Sequence, residues 1–397
     1  MGRGGHLRHR VPLPSRRGRP DAALRSGGGR GPRRAMSGRA SPSGSLEDRV
    51  RRVGLALGLD AVGFCTAEPT ERTRFLREWI ARGYAGEMDY LERRLEERID
   101  PRKTLPGARS LIVVALALPG DGGSGPPDGS GEEAKGRIAR YAAGDDYHEV
   151  LLDRVRALES ALPILAREEV RSRSHVDTGP VAERAAAERA GLGWIAKNSC
   201  LIHPELGSHV MLGVIVTDLA LEPDEPIADH CGTCRACLDA CPTAAFPDPH
   251  VLDATRCLSY STIEFRGSIP ESLRAAQGDH VFGCDLCQSV CPWNRSRPRA
   301  PLDDPLGLRA RLAPRSEWEQ PTLEWILGLD EAAHLEATRR SAIRRAGYRG
   351  LIRNALIAAG NSRDAGLRPA IERHAEGPDE MLSEHARWAL ARLEPEA

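Results

Sequence analysis

Apolar positions set out two kinds of element along the first half of the chain. Ser45 and Asp48 bracket a helix start, and Val50, Val53, Leu55 and Leu57 then run into Asp60-Ala-Val-Gly-Phe64, a short strand. An amphipathic helical stretch follows from Thr70 to Arg98, and Leu111 to Ala117 reads as a buried strand. Gly120 to Gly131 is a Gly/Pro/Ser loop. Val150 to Glu168 is helical, Ser172 to Val176 a strand, Pro180 to Ala190 a helix with proline in its first turn, and Val210 to Leu219 a strand. Alternating strands and helices argue an α/β domain over residues 45–222. After Pro301 only helical spacing remains, at Ala342 to Ala346, Leu351 to Ala359 and Glu384 to Leu393, with Gly360-Asn361 as a helix stop. These pairs are similar to one and a half HEAT-type helical repeats over 301–397.

Composition removes several classes. A chain of 397 residues can hold two or three domains, and no run of about 18 apolar residues suggests a membrane span. The formal charge is zero, yet residues 1–44 carry eleven arginines against Asp21 alone, leaving 45 basic and 55 acidic side chains in the remainder. A general attraction to nucleic acid is therefore not expected, and contact with it needs a local patch. Residues 1–44 are Gly, Arg, Pro and Ser with almost nothing to bury, so they read as a disordered arm. Arg16-Arg17 and Arg33-Arg34 lack a following hydrophobic stretch, which argues against export. From Arg339 to Arg363 seven arginines occur with no acid; Arg344, Arg345, Arg349 and Arg353 would line one flank of a helix pair and suit a phosphate backbone.

The densest chemistry lies at 223–300. Eight of the ten cysteines fall as Cys231, Cys234, Cys237, Cys241-Pro242, Cys257, Cys284, Cys287 and Cys291-Pro292. C-x2-C-x2-C-x3-C-P is the bacterial ferredoxin run, in which the fourth cysteine serves the other cluster. Three thiolates at i, i+3 and i+6 grip three corners of a cubane, and the fourth corner is bound from elsewhere. By that rule one 4Fe-4S cluster takes Cys231, Cys234, Cys237 and Cys291, and the other takes Cys284, Cys287, Cys257 and Cys241. Zinc needs two short ligand pairs, and disulfides need an oxidising compartment; neither fits as well. Cys65 and Cys200 stand outside the pattern and read as small packed side chains.

Upstream, no G-x-G-x-x-G opens a helix after a strand, and no P-loop or Ser-His-Asp order occurs. The distinctive strings are Gly86-Glu-Met-Asp-Tyr-Leu91, Arg98-Ile-Asp-Pro-Arg102, Arg140-Tyr-Ala-Ala-Gly-Asp-Asp-Tyr-His148, Asp177-Thr-Gly-Pro-Val-Ala-Glu-Arg184 and Gly191-Leu-Gly-Trp-Ile-Ala-Lys-Asn198. Together with the cysteine layout, and in this order, they resemble the epoxyqueuosine reductase family over residues 46–392.

The resemblance implies a cytoplasmic enzyme that uses base-off cobalamin and two 4Fe-4S clusters to remove the epoxide oxygen of epoxyqueuosine at the wobble position of transfer RNA. It implies a cobalamin-binding α/β domain of the reductive dehalogenase type, a ferredoxin-like module, and HEAT-like helices that hold the anticodon arm. An external electron donor and a monomeric state go with it. Asp177 matches the family's proton donor, with a dry pocket expected to raise its pKa. Arg98 matches a cobalamin contact, and the backbone from Lys197 to Leu201 lies where the family approaches the corrin. Arg140 to His148 is expected to close the pocket beside Asp177. His148 reads as a cap or packed side chain and not as a cobalt ligand. Another corrinoid iron-sulfur reductase of the dehalogenase type, or a plain two-cluster electron carrier, are the rival readings.

Overall fold

Ser45 starts the first helix by a capping box, its hydroxyl accepting the Asp48 N–H while the Asp48 carboxylate accepts the Ser45 N–H. The helix, α1 (Leu46–Ala56), leads into β1 (Ala61–Thr66). The computed structural model describes residues 44–120, 133–295 and 303–394. The arm expected at 1–44, apart from Gly44, and the loop expected at 120–131, apart from Gly120, lie outside the described residues.

The helical stretch expected over Thr70 to Arg98 is broken into α2 (Glu71–Ala81) and two single turns, Asp89–Arg93 and Leu95–Ile99. Gly83 and Gly86, both at positive φ, supply the break. Strand β2 (Ser110–Ala117), helix α3 (Tyr147–Ala166), strand β3 (Ser172–His175), helix α4 (Glu183–Arg189) and strand β4 (Val210–Thr217) follow. The sheet order is β1-β2-β4-β3, and every pairing is antiparallel, with Leu111 opposite both Cys65 and Val216. The alternation of strand and helix seen in the sequence is real, but it does not set strand direction.

Both faces of β2 are covered, which explains its unbroken apolar run. Ile112, Val114 and Leu116 pack with Val155 and Leu158 of α3, while Leu111, Val113 and Ala115 pack with Ala186 and Ala187 of α4. Helix α4 begins three residues later than the proline suggested. Gly179, Pro180 and Val181 are buried and form the base of a loop whose tip, Asp177 and Thr178, is exposed.

In the cysteine-rich segment, α5 (Leu258–Ile263) follows Cys257, and β5 (His280–Phe282) precedes Cys284. Arg137–Ile138 pairs in parallel with β5. Parallel pairing sends both chains out of the same end, so the stretch beginning at Arg140 emerges beside the loop beginning at Cys284.

The C-terminal part is helical among its described residues, ending in α6 (Gly347–Ser362), α7 (Arg368–Ala375) and α8 (Glu380–Leu393). Gly360 is not the helix stop it was expected to be: α6 runs two residues past it. A Cβ on Gly360 would lie 2.8 Å from the Cα of Ala389, so the glycine serves the close approach of α6 and α8. The three expected segments share cores. Leu308 and Leu312 pack into the sheet core, and Val281 and Phe282 into the core of the C-terminal helices.

Candidate active site beside the cluster loops

Asp177 leaves β3 with φ at +54°, a left-handed conformation uncommon for a side-chain-bearing residue. Two contacts hold it there. Its backbone N–H donates to Glu183 Oε1 at 2.6 Å, from the first turn of α4. Its carboxylate Oδ2 lies 3.1 Å from His148 Nε2, at the start of α3. His148 is gripped on its other side by Asp146, 2.6 Å from Nδ1, and Asp146 also caps α3 by accepting the His148 N–H. The Tyr147 ring stacks on His148 at 4.0 Å, and its hydroxyl bonds the Asp177 carboxylate. The end of the Arg140 to His148 stretch thus lies beside Asp177, and His148 faces two carboxylates.

The electrostatics differ from expectation at the key residue. Burial pushes the Asp177 carboxyl up, but His148, Tyr147 and Arg184 outweigh it and hold the pKa below the ordinary aspartate value. Burial alone would lower His148, yet Asp146 and Asp177 raise it to about 9. Glu183 is pushed up to about 8, by burial first and by Asp177 second. The raised carboxyl of this site is Glu183, while Asp177 is held low by the imidazole that it and Asp146 raise.

The cysteines gather in two quartets. Cys237 has Cys231, Cys291 and Cys234 as neighbours, and Cys291 has Cys231 and Cys234. Cys284 has Cys257 and Cys241, and Cys287 has Cys284 and Cys257. In the iron-free chain burial pushes Cys284 up to about 12, a cost that binding to iron would remove. Among the described residues no three His, Cys, Asp or Glu side chains converge closely enough for a single metal ion.

The upstream segment 197–200 ties these loops together. Lys197 Nζ donates to Gly232 O at 2.6 Å and Cys234 O at 2.9 Å, and Asn198 Nδ2 donates to Cys287 O at 3.2 Å. Cys200 lies next to Cys287 at the end of this segment, and Cys65 is buried. From the other side, Arg140 N–H donates to Asp285 Oδ2 at 2.7 Å.

Comparison with known proteins fits this arrangement. The family described as epoxyqueuosine reductase QueG, DUF1730 matches residues 98–178, and the 4Fe-4S double cluster binding domain matches residues 230–294. An epoxyqueuosine reductase of Pseudomonas aeruginosa is 38% identical over 87% of this chain and 94% of its own length. One from Gloeobacter violaceus is 42% identical over 82% of this chain and 98% of its own. The chain belongs to the epoxyqueuosine reductase family. A crystal structure of an epoxyqueuosine reductase with an epoxyqueuosine-modified tRNA-Tyr stem loop superposes with a TM-score of 0.79 at 33% identity, covering 88% of this chain and 90% of that one. The Bacillus subtilis epoxyqueuosine reductase, at the same score, has been seen with a catalytic aspartate loop swung out of its active site.

A cleft of about 1030 Å³ lies between α2 and α4, lined by Arg72, Phe75, Glu188, Arg189 and His250 among others, and its lining includes none of Asp177, Arg98, Lys197 and Leu201. Ala185 and Arg189 also line a recess reaching Arg98 and Val181. Arg98 is half-buried, with Nη1 donating to Gly179 O at 3.2 Å at the foot of the Asp177 loop. Its Nε, the Ser199 hydroxyl and His250 Nδ1 are buried without partners. Leu201 is 3% exposed with its side chain in the core, so it can offer only backbone to a ligand.

The arginine patch is altered by the fold. Arg353 is 1% exposed and cannot touch a nucleic acid; it donates to Ser261 O, Phe265 O and Gly267 O and to the Asn354 side chain. Arg344 is exposed, Arg345 pairs with Glu264 at 2.7 Å, and Arg349 pairs with Asp379. The acids missing from 339–363 arrive from distant parts of the chain. Sequence reasoning also passed over Asp146, Tyr147 and Glu183, although all three stand in the strings that carried the resemblance.

Proposed function

We propose that this protein reduces the epoxide of epoxyqueuosine at the wobble position of transfer RNA to give queuosine, with Asp177 delivering a proton to the departing oxygen. The observation carrying this reading is the placement of Asp177 between Tyr147, His148 and Glu183 in a chain of this family whose cysteines gather in two quartets. Electrons enter from an external donor through 4Fe-4S clusters held by Cys231, Cys234, Cys237 and Cys291 and by Cys241, Cys257, Cys284 and Cys287.

Cobalamin suits the buried polar atoms around the foot of the Asp177 loop, where Arg98 Nε and the Ser199 hydroxyl lack partners and are of the kind corrin amides would satisfy. Arg98, Asp177, Lys197 and the backbone through Leu201 would hold it. When bound, cobalamin supplies a strongly reducing centre from which the epoxide carbon takes electrons. Lys197 and Asn198 fix the corrin-side segment to both cluster loops, which keeps the electron path short.

The target base must leave its stack to reach this site. Arg344, Arg345 and Arg349, on helices that read as HEAT-like, are the phosphate contacts, joined to the rest of a monomeric cytoplasmic enzyme. No helix among the described residues is long and apolar enough to cross a membrane. The test is anaerobic incubation of the reconstituted protein and cobalamin with epoxyqueuosine-bearing transfer RNA and a low-potential donor. Nucleoside mass spectrometry should show queuosine appearing mole for mole; unchanged epoxyqueuosine with all cofactors loaded overturns the reading.

A further inference from the structure

The reaction proposed above consumes two protons, and the site shows where they are kept. Converting the epoxide to the alkene breaks both C–O bonds, forms the C=C π bond and releases the oxygen as water. The carbons take two electrons from a low-potential donor, which is oxidised, and the oxygen takes two protons. Asp177 carries one proton at a time, so it must be reloaded within each turnover.

His148 is placed for that. Its imidazole lies between two carboxylate oxygens, Asp146 Oδ1 at 2.6 Å from Nδ1 and Asp177 Oδ2 at 3.1 Å from Nε2. A neutral imidazole between two ionised carboxylates would turn its lone pair toward one of them. Both contacts are satisfied by an imidazolium, or by a neutral imidazole facing a protonated Asp177. The two arrangements differ by one proton moved along the Nε2–Oδ2 contact. Asp146 keeps the Nδ1 proton in place in both, so the proton that moves is the one facing Asp177. Exposure rises along the same line: the Asp146 and His148 side chains are 24% and 28% exposed, while Asp177 is 59% exposed.

We propose that His148 is the positioning residue that stores a proton and loads it onto Asp177 for delivery to the departing oxygen, with Asp146 holding the imidazole in register. The charged and titratable groups facing the imidazole are Asp146 and Tyr147 from its own helix start, and Asp177 and Glu183 from the opposite loop and α4. Their balance keeps His148 protonated past neutral pH and Asp177 ionised until it is loaded.

The inference rests on the functional reading, and two measurements separate them. In single-turnover reduction of an epoxyqueuosine stem loop by the reconstituted holoenzyme, His148→Ala is expected to slow the chemical step about 100-fold with stem-loop affinity unchanged. Added imidazole should restore at least a tenth of the wild-type rate, which a packing role would not allow. A His148→Ala rate within about threefold of wild type, while Asp177→Asn is inactive, overturns the proposal by showing that solvent loads the aspartate. If the wild type itself gives no turnover, the functional reading falls. Nitrogen-15 histidine NMR of the reconstituted protein then still decides the proton store: an imidazolium at His148 at pH 8, lost in Asp146→Asn, supports it, and a neutral ring at pH 7 overturns it.

Discussion

Arg353 separates a structural arginine from a nucleic-acid contact, and the two roles predict opposite results. Its guanidinium is buried against Phe265 O at 3.0 Å, Gly267 O at 2.7 Å and Ser261 O at 2.7 Å, carbonyls at and beyond the end of α5, the helix that follows Cys257. Burial lowers its pKa to about 10, so it stays charged at neutral pH. In Arg353→Met three buried carbonyls lose their donor, at about 1–3 kcal/mol each. The relief of no longer burying a charge returns several kcal/mol. The balance is destabilising by about 3 kcal/mol. With an unfolding entropy of about 0.7 kcal/mol/K for a unit this long, the melting temperature should fall by about 4 °C. The assay is an anaerobic thermal melt of the reconstituted protein, alongside transfer-RNA affinity as a function of salt. Arg345→Gln and Arg349→Gln, in exposed pairs, should leave the melt nearly unchanged and each reduce the salt slope by about one. An Arg353→Met protein with an unchanged melt and a shallower salt slope would refute the assignment of Arg353 to the interior.

The quartets predict a crossed phenotype, in which Cys241→Ser loses the cluster bound by Cys257, Cys284 and Cys287, and Cys291→Ser the cluster bound by Cys231, Cys234 and Cys237. Iron should drop to about half in each, and paramagnetic resonance of the reduced variants should show different surviving signals; the same survivor in both would contradict the crossing. Lys197→Met removes two carbonyl contacts from the first cluster loop, so a chelator should strip iron from it faster than from wild type, and equal rates would count against the brace. Stability should fall on the alkaline side for two reasons of one sign. Glu183, raised from 4.5 to about 8, stays protonated in the fold where an unfolded glutamate ionises, so its contribution declines between those pH values. His148, raised from 6.5 to about 9, stabilises fully below 6.5 and loses that contribution as pH rises through 9. Melts should decline from pH 6.5 to 9 in wild type and less steeply in Glu183→Gln; parallel slopes would show that Glu183 is not neutral in the fold.

Local signals in this chain were legible where one residue type at one spacing admits one geometry. The capping box at Ser45 and the apolar strands at Leu111 and Val210 are of this kind, and so is the cysteine run, whose spacing reflects the corners of a cubane. Properties set by partners distant in sequence were not. The arginines at 345 and 349 looked unpaired because Glu264 and Asp379 lie elsewhere in the chain. Arg353 has the same composition and helical spacing as its neighbours, and only the packing of α6 on the cysteine-rich segment distinguishes it. The pKa of Asp177 was misjudged for a related reason: a pocket raises a carboxyl only if nothing in it carries positive charge. Here the pocket wall is an imidazole that Asp146 has already made more basic.

The same long-range pairings explain how an electron-transfer module and an acid site come to share one fold. Parallel pairing of Arg137–Ile138 with β5 makes the chain toward His148 and the chain toward Cys284 depart together, and the Arg140 N–H bond to Asp285 fixes their separation. On the opposite side, Lys197 holds one cysteine loop and Asn198 the other, while Arg184 reaches back from α4 to Ser199 O. Helix α4 therefore contacts the segment that holds the clusters through Arg184, and the aspartate through Glu183. In the proposed reaction electrons go to the epoxide carbons and protons to the oxygen that bridges them, and adjacent residues on one helix link the two sides. A change at this helix start should disturb both functions together, whereas a change at Cys200 or Lys197 should disturb the electron side first.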